Sequence, residues 1–124
     1  GSGAIINMVS GSAMVDPPAP ADQGGWGFAY PSSKAALIRM VPSLRVEHKE
    51  SGVRFFGVEP GLVVTEVMKA NGFDETIAAR FKPTPPNAIA EVVRWLAESA
   101  EALEWQEKAV ISAPQLHKKL LAAH

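Results

Sequence analysis

The sequence predicts an α/β fold built on a parallel sheet, and three observations predict it. Ala4–Val9 is apolar on both faces apart from Asn7, the pattern of an interior parallel strand. Leu37, Met40, Val41 and Leu44 then form an apolar stripe at helical spacing. A second apolar run, Val53–Val58, is stopped abruptly by Pro60-Gly61. Strand, helix, strand is the order that a crossover connection between parallel strands requires.

Taken in order, Gly1-Ser2-Gly3 leads straight into the first strand. It is not a dinucleotide fingerprint, because Ile6 stands where a third Gly would be needed and the pattern must follow a strand. Ser10 ends that strand, either as a local turn cap or as a hydroxyl facing a ligand. Residues 13–29 are rich in Pro and Gly and are expected to form an irregular loop, in which Trp26 and Phe28 either line a pocket or pack the loop onto the body. The central helix is expected from near Tyr30 to about Glu50, with Gly52 as its stop and a kink near Ile38 caused by Pro42. After the Pro60-Gly61 turn, residues 66–83 suggest a short helical lid. Thr84 is expected to cap a helix with Pro85 in its first position and Ile89, Val92, Val93 and Leu96 on its buried face. Lys108–Ser112 reads as a third short strand, and a basic amphipathic helix from Gln115 carries Leu116, Leu120 and Leu121.

Composition narrows the function. A chain of 124 residues with 47% apolar content is enough for one domain with a core. The net charge of −1, from 12 basic and 13 acidic residues, gives no basic stripe for nucleic acid and no patch for an anionic membrane. No apolar run reaches the roughly 20 residues of a membrane span. The absence of Cys excludes disulfides and thiolate metal sites and is compatible with a reducing cytoplasm. His48, His117 and His124 are scattered without ligand spacing and read as surface residues, so no metal site is expected.

The chemistry centres on Tyr30 and Lys34. Side chains four residues apart share one helix face. An ammonium beside a phenol favours the phenolate, so a Tyr in such a pair exchanges protons more readily near neutral pH. An isolated Tyr-x-x-x-Lys is also a common accident of an aromatic anchor beside a solvated Lys. Its setting gives it meaning: a strand ending at Ser10, then the Tyr-x-x-x-Lys helix, then a strand running into Glu59-Pro60-Gly61-Leu62-Val63-Val64-Thr65.

With those three motifs in that order, the chain resembles the classical branch of the short-chain dehydrogenase/reductase family. The resemblance implies a three-layer Rossmann-like parallel sheet of which residues 1–124 are the C-terminal, catalytic half. It implies an oxidoreductase that interconverts a carbonyl and an alcohol by hydride transfer with NAD or NADP. Tyr30 would be the general acid and base, Lys34 would lower its pKa and bond the nicotinamide ribose, and Ser10 would orient the substrate oxygen, with Ser12 as a nearby alternative. Tyr30, Lys34, Pro60, Gly61, Val63 and Thr65 would line the cofactor. The family pattern often has two adjacent Ser at the strand end, and Val9 replaces the first. A Gly-x-Ser-x-Gly elbow is not formed around Ser10 or Ser12, so a hydrolase fails locally. An extended-branch epimerase or dehydratase is disfavoured by the Pro-Gly-x-Val-x-Thr turn.

The same resemblance exposes what is missing. The Gly-rich phosphate loop and the residue that separates NAD from NADP are absent, and the outer edge of the first strand would stay unpaired. The expectation is a piece of a longer cytoplasmic enzyme, or a half-fold completed by a partner. A homo-oligomer built on the central helix is expected from the family, with Pro42 as an obstacle. A non-catalytic half-Rossmann interaction module is the alternative, but it has no need of Ser10, Tyr30 and Lys34 together.

Overall fold

In the computed structural model, residues 2–62 and 83–123 are described. Strand β1 (Gly3–Met8) is followed by helix α1 (Ala29–Glu47), strand β2 (Val53–Glu59), helix α2 (Pro86–Glu98), strand β3 (Ile111–Ser112) and helix α3 (Ala113–Ala122). The strands form one parallel sheet in the order β1-β2-β3, with Gly3 to Met8 beside Val53 to Val58 and Val58-Glu59 beside Ile111-Ser112. This is the α/β class expected.

β2 is the middle strand because it is apolar on both faces: Phe55, Phe56 and Val58 are all buried. Strand alternation divides its side chains between two helix layers. Phe56 and Val58 join Val92 and Leu96 of α2, Ile111, Ala113 and Leu116 in the main core. On the other face, a Cβ at Gly57 would meet Val41 of α1 at 3.7 Å and the Ala109 carbonyl at 3.3 Å, so this glycine lets the layers close. Asn7, paired with Gly57, turns to the same side and donates from Nδ2 to the Leu37 carbonyl of α1 at 3.2 Å. The one polar residue of β1 is thereby the fastener between strand and helix.

Several boundaries differ from expectation. α1 stops at Glu47, with His48 as C-cap, because Ser51 accepts from the Val53 N–H and donates to the His48 carbonyl, turning the chain before Gly52. Gly52 (φ +75°) serves the entry to β2 instead. Pro42 lies inside an uninterrupted α1, where Ser43 donates back to the Arg39 carbonyl at 3.0 Å. Thr84 is not the cap of α2: it is buried, its N–H donates to the Leu62 carbonyl at 2.6 Å, and Pro85 takes the cap position. β3 has only two of the five expected residues, while α3 begins two residues early on a Ser112 cap with Pro114 in its first turn. Leu116 is buried in α3, but Leu121 is exposed. His117, expected on the surface, is largely covered and bonds Glu91 of α2 at 2.6 Å.

The 13–29 segment is ordered by local turns, with 3-10 turns at Gly11–Ala13 and Ala21–Gln23. Its neck is sealed where Gly25 passes Ala19: the Gly25 N–H donates to Pro20, and any Cβ at Gly25 would run into the Ala19 carbonyl. Trp26 is half-buried while Phe28 stands 83% exposed, so the two aromatics of this loop part company.

Arg54, an unexpected structural residue, reaches from β2 to the end of α2. Its Nη1 donates to the carbonyl of Leu96 (3.0 Å), which the helix end leaves unpaired, and to that of Ser99 (2.5 Å), which also accepts from the Ala102 N–H. Arg54→Leu is expected to lower unfolding free energy by roughly 2 kcal/mol, since hydrogen bonds from a charged group are the stronger kind and the Leu96 carbonyl loses its Arg54 partner. Urea unfolding, with faster amide exchange around Ser99, checks this; an unchanged midpoint would refute it.

Candidate active site

Parallel pairing puts the carboxyl ends of β1 and β2 on one side of the sheet, where ligands bind in open α/β folds. The ladder extends one residue past β1, since the Val9 N–H donates to the Val58 carbonyl at 2.8 Å. Ser10 is therefore fixed beside the Glu59-Pro60-Gly61 turn.

Ser10 is half-buried and caps the Gly11–Ala13 turn: its Oγ accepts from the Ser12 N–H at 3.2 Å and lies 2.9 Å from the Ser12 hydroxyl. When Ser12 donates across that hydroxyl pair, both lone pairs of Ser10 are taken and its own proton is free for an outside acceptor. The short turn that carries Ser12 packs against α1.

Tyr30 occupies the first turn of α1 and is 51% exposed. Lys34, one turn on, connects the parts. Its Nζ lies 5.8 Å from the centre of the Tyr30 ring, within cation–π range. The same Nζ donates to the carbonyl of Met8 at 3.1 Å, two residues before Ser10. One ammonium thus touches the strand that carries Ser10 and the helix that carries Tyr30, and it keeps two further N–H groups. Lys34 thus joins the first turn of α1 to the end of β1.

The turn after β2 is braced from within. Glu59 Oε1 accepts from the Gly61 N–H at 2.9 Å. Gly61 has φ +77°, and a Cβ there would fall 2.5 Å from Thr84 Oγ1 and 3.1 Å from Pro114. The freedom of Gly61 is thus used, on that side, by a protein contact that tucks Thr84 beneath the turn. Pro60 precedes it; Val63, Thr65 and nearly all of the expected lid lie outside the described residues. Among the described residues, no group of three His, Cys, Asp or Glu side chains is placed to hold a metal ion, and no helix is long and apolar enough to cross a membrane.

Sequence reasoning missed the Asn7 and Glu59 braces and the burial of Thr84. Asn7 carried a signal, as the one polar residue in an apolar strand. Thr84 carried only a misleading one, since Thr before Pro-Pro reads as a helix cap.

Gly61→Ala is expected to cost about 2–3 kcal/mol, from a left-handed backbone without glycine and the collision with Thr84. Chemical denaturation of the variant measures it; a loss below the error of the method would show that the turn can relax.

Comparison with known proteins gives concordant results. A sequence model described as short chain dehydrogenase matches residues 1–76. The oxidoreductase UcpA of Salmonella typhimurium is 30% identical over 99 residues, which are 80% of this chain and 30% of UcpA. The meso-2,3-butanediol dehydrogenase of Serratia marcescens is 29% identical over 103 residues, which are 77% of this chain and 37% of that enzyme. The chain spans about a third of the length of these curated relatives. Among solved structures, a 4-hydroxyisoleucine dehydrogenase mutant complexed with NADH and succinate superposes with a TM-score of 0.65 at 22% identity, over 90% of this chain and 46% of that one. A short-chain type dehydrogenase/reductase from Mycobacterium marinum gives 0.66 at 22% identity, over 90% and 42%. At such identity these structures show the shared fold alone.

Proposed function

The chain belongs to the short-chain dehydrogenase/reductase family, and on that premise we propose that it is the catalytic half of a nicotinamide-dependent enzyme interconverting a carbonyl and an alcohol. The observation that supports this reading most is the position of the Lys34 ammonium, beside the Tyr30 ring and bonded to the strand end that leads to Ser10.

The residues present fit one end of a dinucleotide. Two N–H groups of Lys34 remain for ribose hydroxyls, and the Pro60-Gly61 turn would line the nicotinamide with Val63 and Thr65. No Gly-x-Gly-x-x-Gly pattern occurs in the chain, so the pyrophosphate needs residues from elsewhere. When bound, NAD or NADP supplies or accepts the hydride.

The side chains of this chain handle the proton. In reduction, the Tyr30 phenol donates its proton to the substrate oxygen; in oxidation, the phenolate takes it back. The Ser10 hydroxyl donates to the same substrate oxygen while its lone pair holds the Ser12 N–H, so the cap fixes its direction. Exposed Met14, Val15 and Phe28 give this end of the molecule an apolar surface, which supports a hydrophobic alcohol or carbonyl as substrate.

Among the described residues β1 pairs only with β2, and its outer edge is where the remaining strands of a cytoplasmic Rossmann domain would add. Met40, 37% exposed on α1, supports a homo-oligomer through that helix.

In the complete enzyme, Tyr30→Phe is expected to reduce turnover at least about 100-fold, the lower end of what acid–base catalysis supplies, while cofactor affinity stays within a few-fold. Steady-state rates with cofactor titration by fluorescence test it. Undiminished turnover removes the assignment, and loss of both properties makes Tyr30 a structural residue.

A further inference from the structure

A cavity of about 620 Å³ lies at the opposite end of the strands from Ser10 and Pro60. Its walls include Arg45 of α1, His48 and Lys49 just behind it, Arg54 at the start of β2, and Gln106 and Glu107. Seven strand residues separate the two ends of β2, so the cavity is about 20 Å from the candidate active site. We propose that this cavity is a second binding site, for a small organic molecule bearing a phosphate group.

Charge is the first argument. Three permanent cations, Arg45, Lys49 and Arg54, face one carboxylate, Glu107, in a chain whose net charge is −1. Their placement is the second. Arg45 is half-buried, so its charge is held at the cavity wall. The dipole of α1 accounts for basic side chains near its last carbonyls. It does not account for Arg54, which the next strand brings to the same cavity.

The neighbouring groups are held ready. Gln106 Oε1 accepts from the Phe55 N–H at 3.0 Å, so its position is fixed and its amide hydrogens remain to be donated. The His48 ring stacks on Phe55, with centroids 6.2 Å apart and planes at 28°. Arg54 spends Nη1 on the end of α2 and contributes mainly field. The cavity has the size of a small-molecule site and exceeds what a bare phosphate fills. Val53 and Leu103 offer an apolar wall for the organic part. Three cations match a doubly charged phosphate ester better than a carboxylate.

Phenyl phosphate is the probe, titrated into the purified protein at constant ionic strength and followed by amide chemical shifts and calorimetry. Saturable binding is expected, with shifts at His48, Lys49 and Gly52 and none at Ser10. Arg45→Gln and Lys49→Gln should each weaken it by about tenfold, and benzoate should bind about tenfold more weakly than phenyl phosphate. Lys49 is exposed, so its variant folds even where Arg45→Gln does not. Failure to saturate at millimolar probe, or unchanged affinity in the Lys49 variant, overturns the site. Equal affinity for benzoate overturns its assignment to phosphate.

Discussion

Everything at the candidate site depends on the parallel pairing of β1 with β2. That pairing continues through the Val9 N–H to the Val58 carbonyl, so two chain segments nearly fifty residues apart end at the same level. A slip of one residue would exchange the faces of β1. Ile6 would leave the core, Asn7 would lose the Leu37 carbonyl, and Ser10 would turn away from the Pro60-Gly61 turn. The register is held because Ile6 has to meet the α2 side and Asn7 the α1 side. Core packing and the Asn7 bond thus specify the position of a hydroxyl that neither touches.

Lys34 adds a constraint of a different kind. Other groups at the site are held by their own segment: the Ser10 hydroxyl by Ser12, the Gly61 backbone N–H by Glu59. Lys34 instead spans two elements, from α1 to the Met8 carbonyl. The distance between the Tyr-bearing helix and the Ser-bearing strand is therefore regulated by a charged group rather than by apolar contact alone. A site assembled from side chains on two different elements needs such a link.

Local placement was easier to read in the sequence than the contacts that join the elements. That Ser10 follows a strand end and that Tyr30 and Lys34 share a helix was legible because local spacing survives into the structure. The apolar runs of β1 and β2 were legible for the same reason. What was hidden is long-range. Thr84 looked like a helix cap because Pro follows it, yet tertiary contact with Leu62 and Gly61 draws it inward. Ser51 ended α1 before Gly52 could, a contest between two turn-formers that spacing does not decide. The covered His117 gave no warning, since its partner Glu91 lies on another helix. The bond from Arg54 to the end of α2 likewise joins residues more than forty apart.

The crossing of Gly25 over Ala19 carries a consequence for how this molecule can vary. The neck admits no side chain at Gly25, and the Pro20 carbonyl is already engaged there. The residues between, Ala21 to Gly24, form a closed appendage whose two stems meet before the chain returns to Trp26 and α1. Length changes at its tip are absorbed outside the neck and leave the entry to α1 undisturbed. Diversification of this segment is therefore uncoupled from the candidate site: its outline can drift through insertion and deletion while the helix bearing Tyr30 begins at the same place.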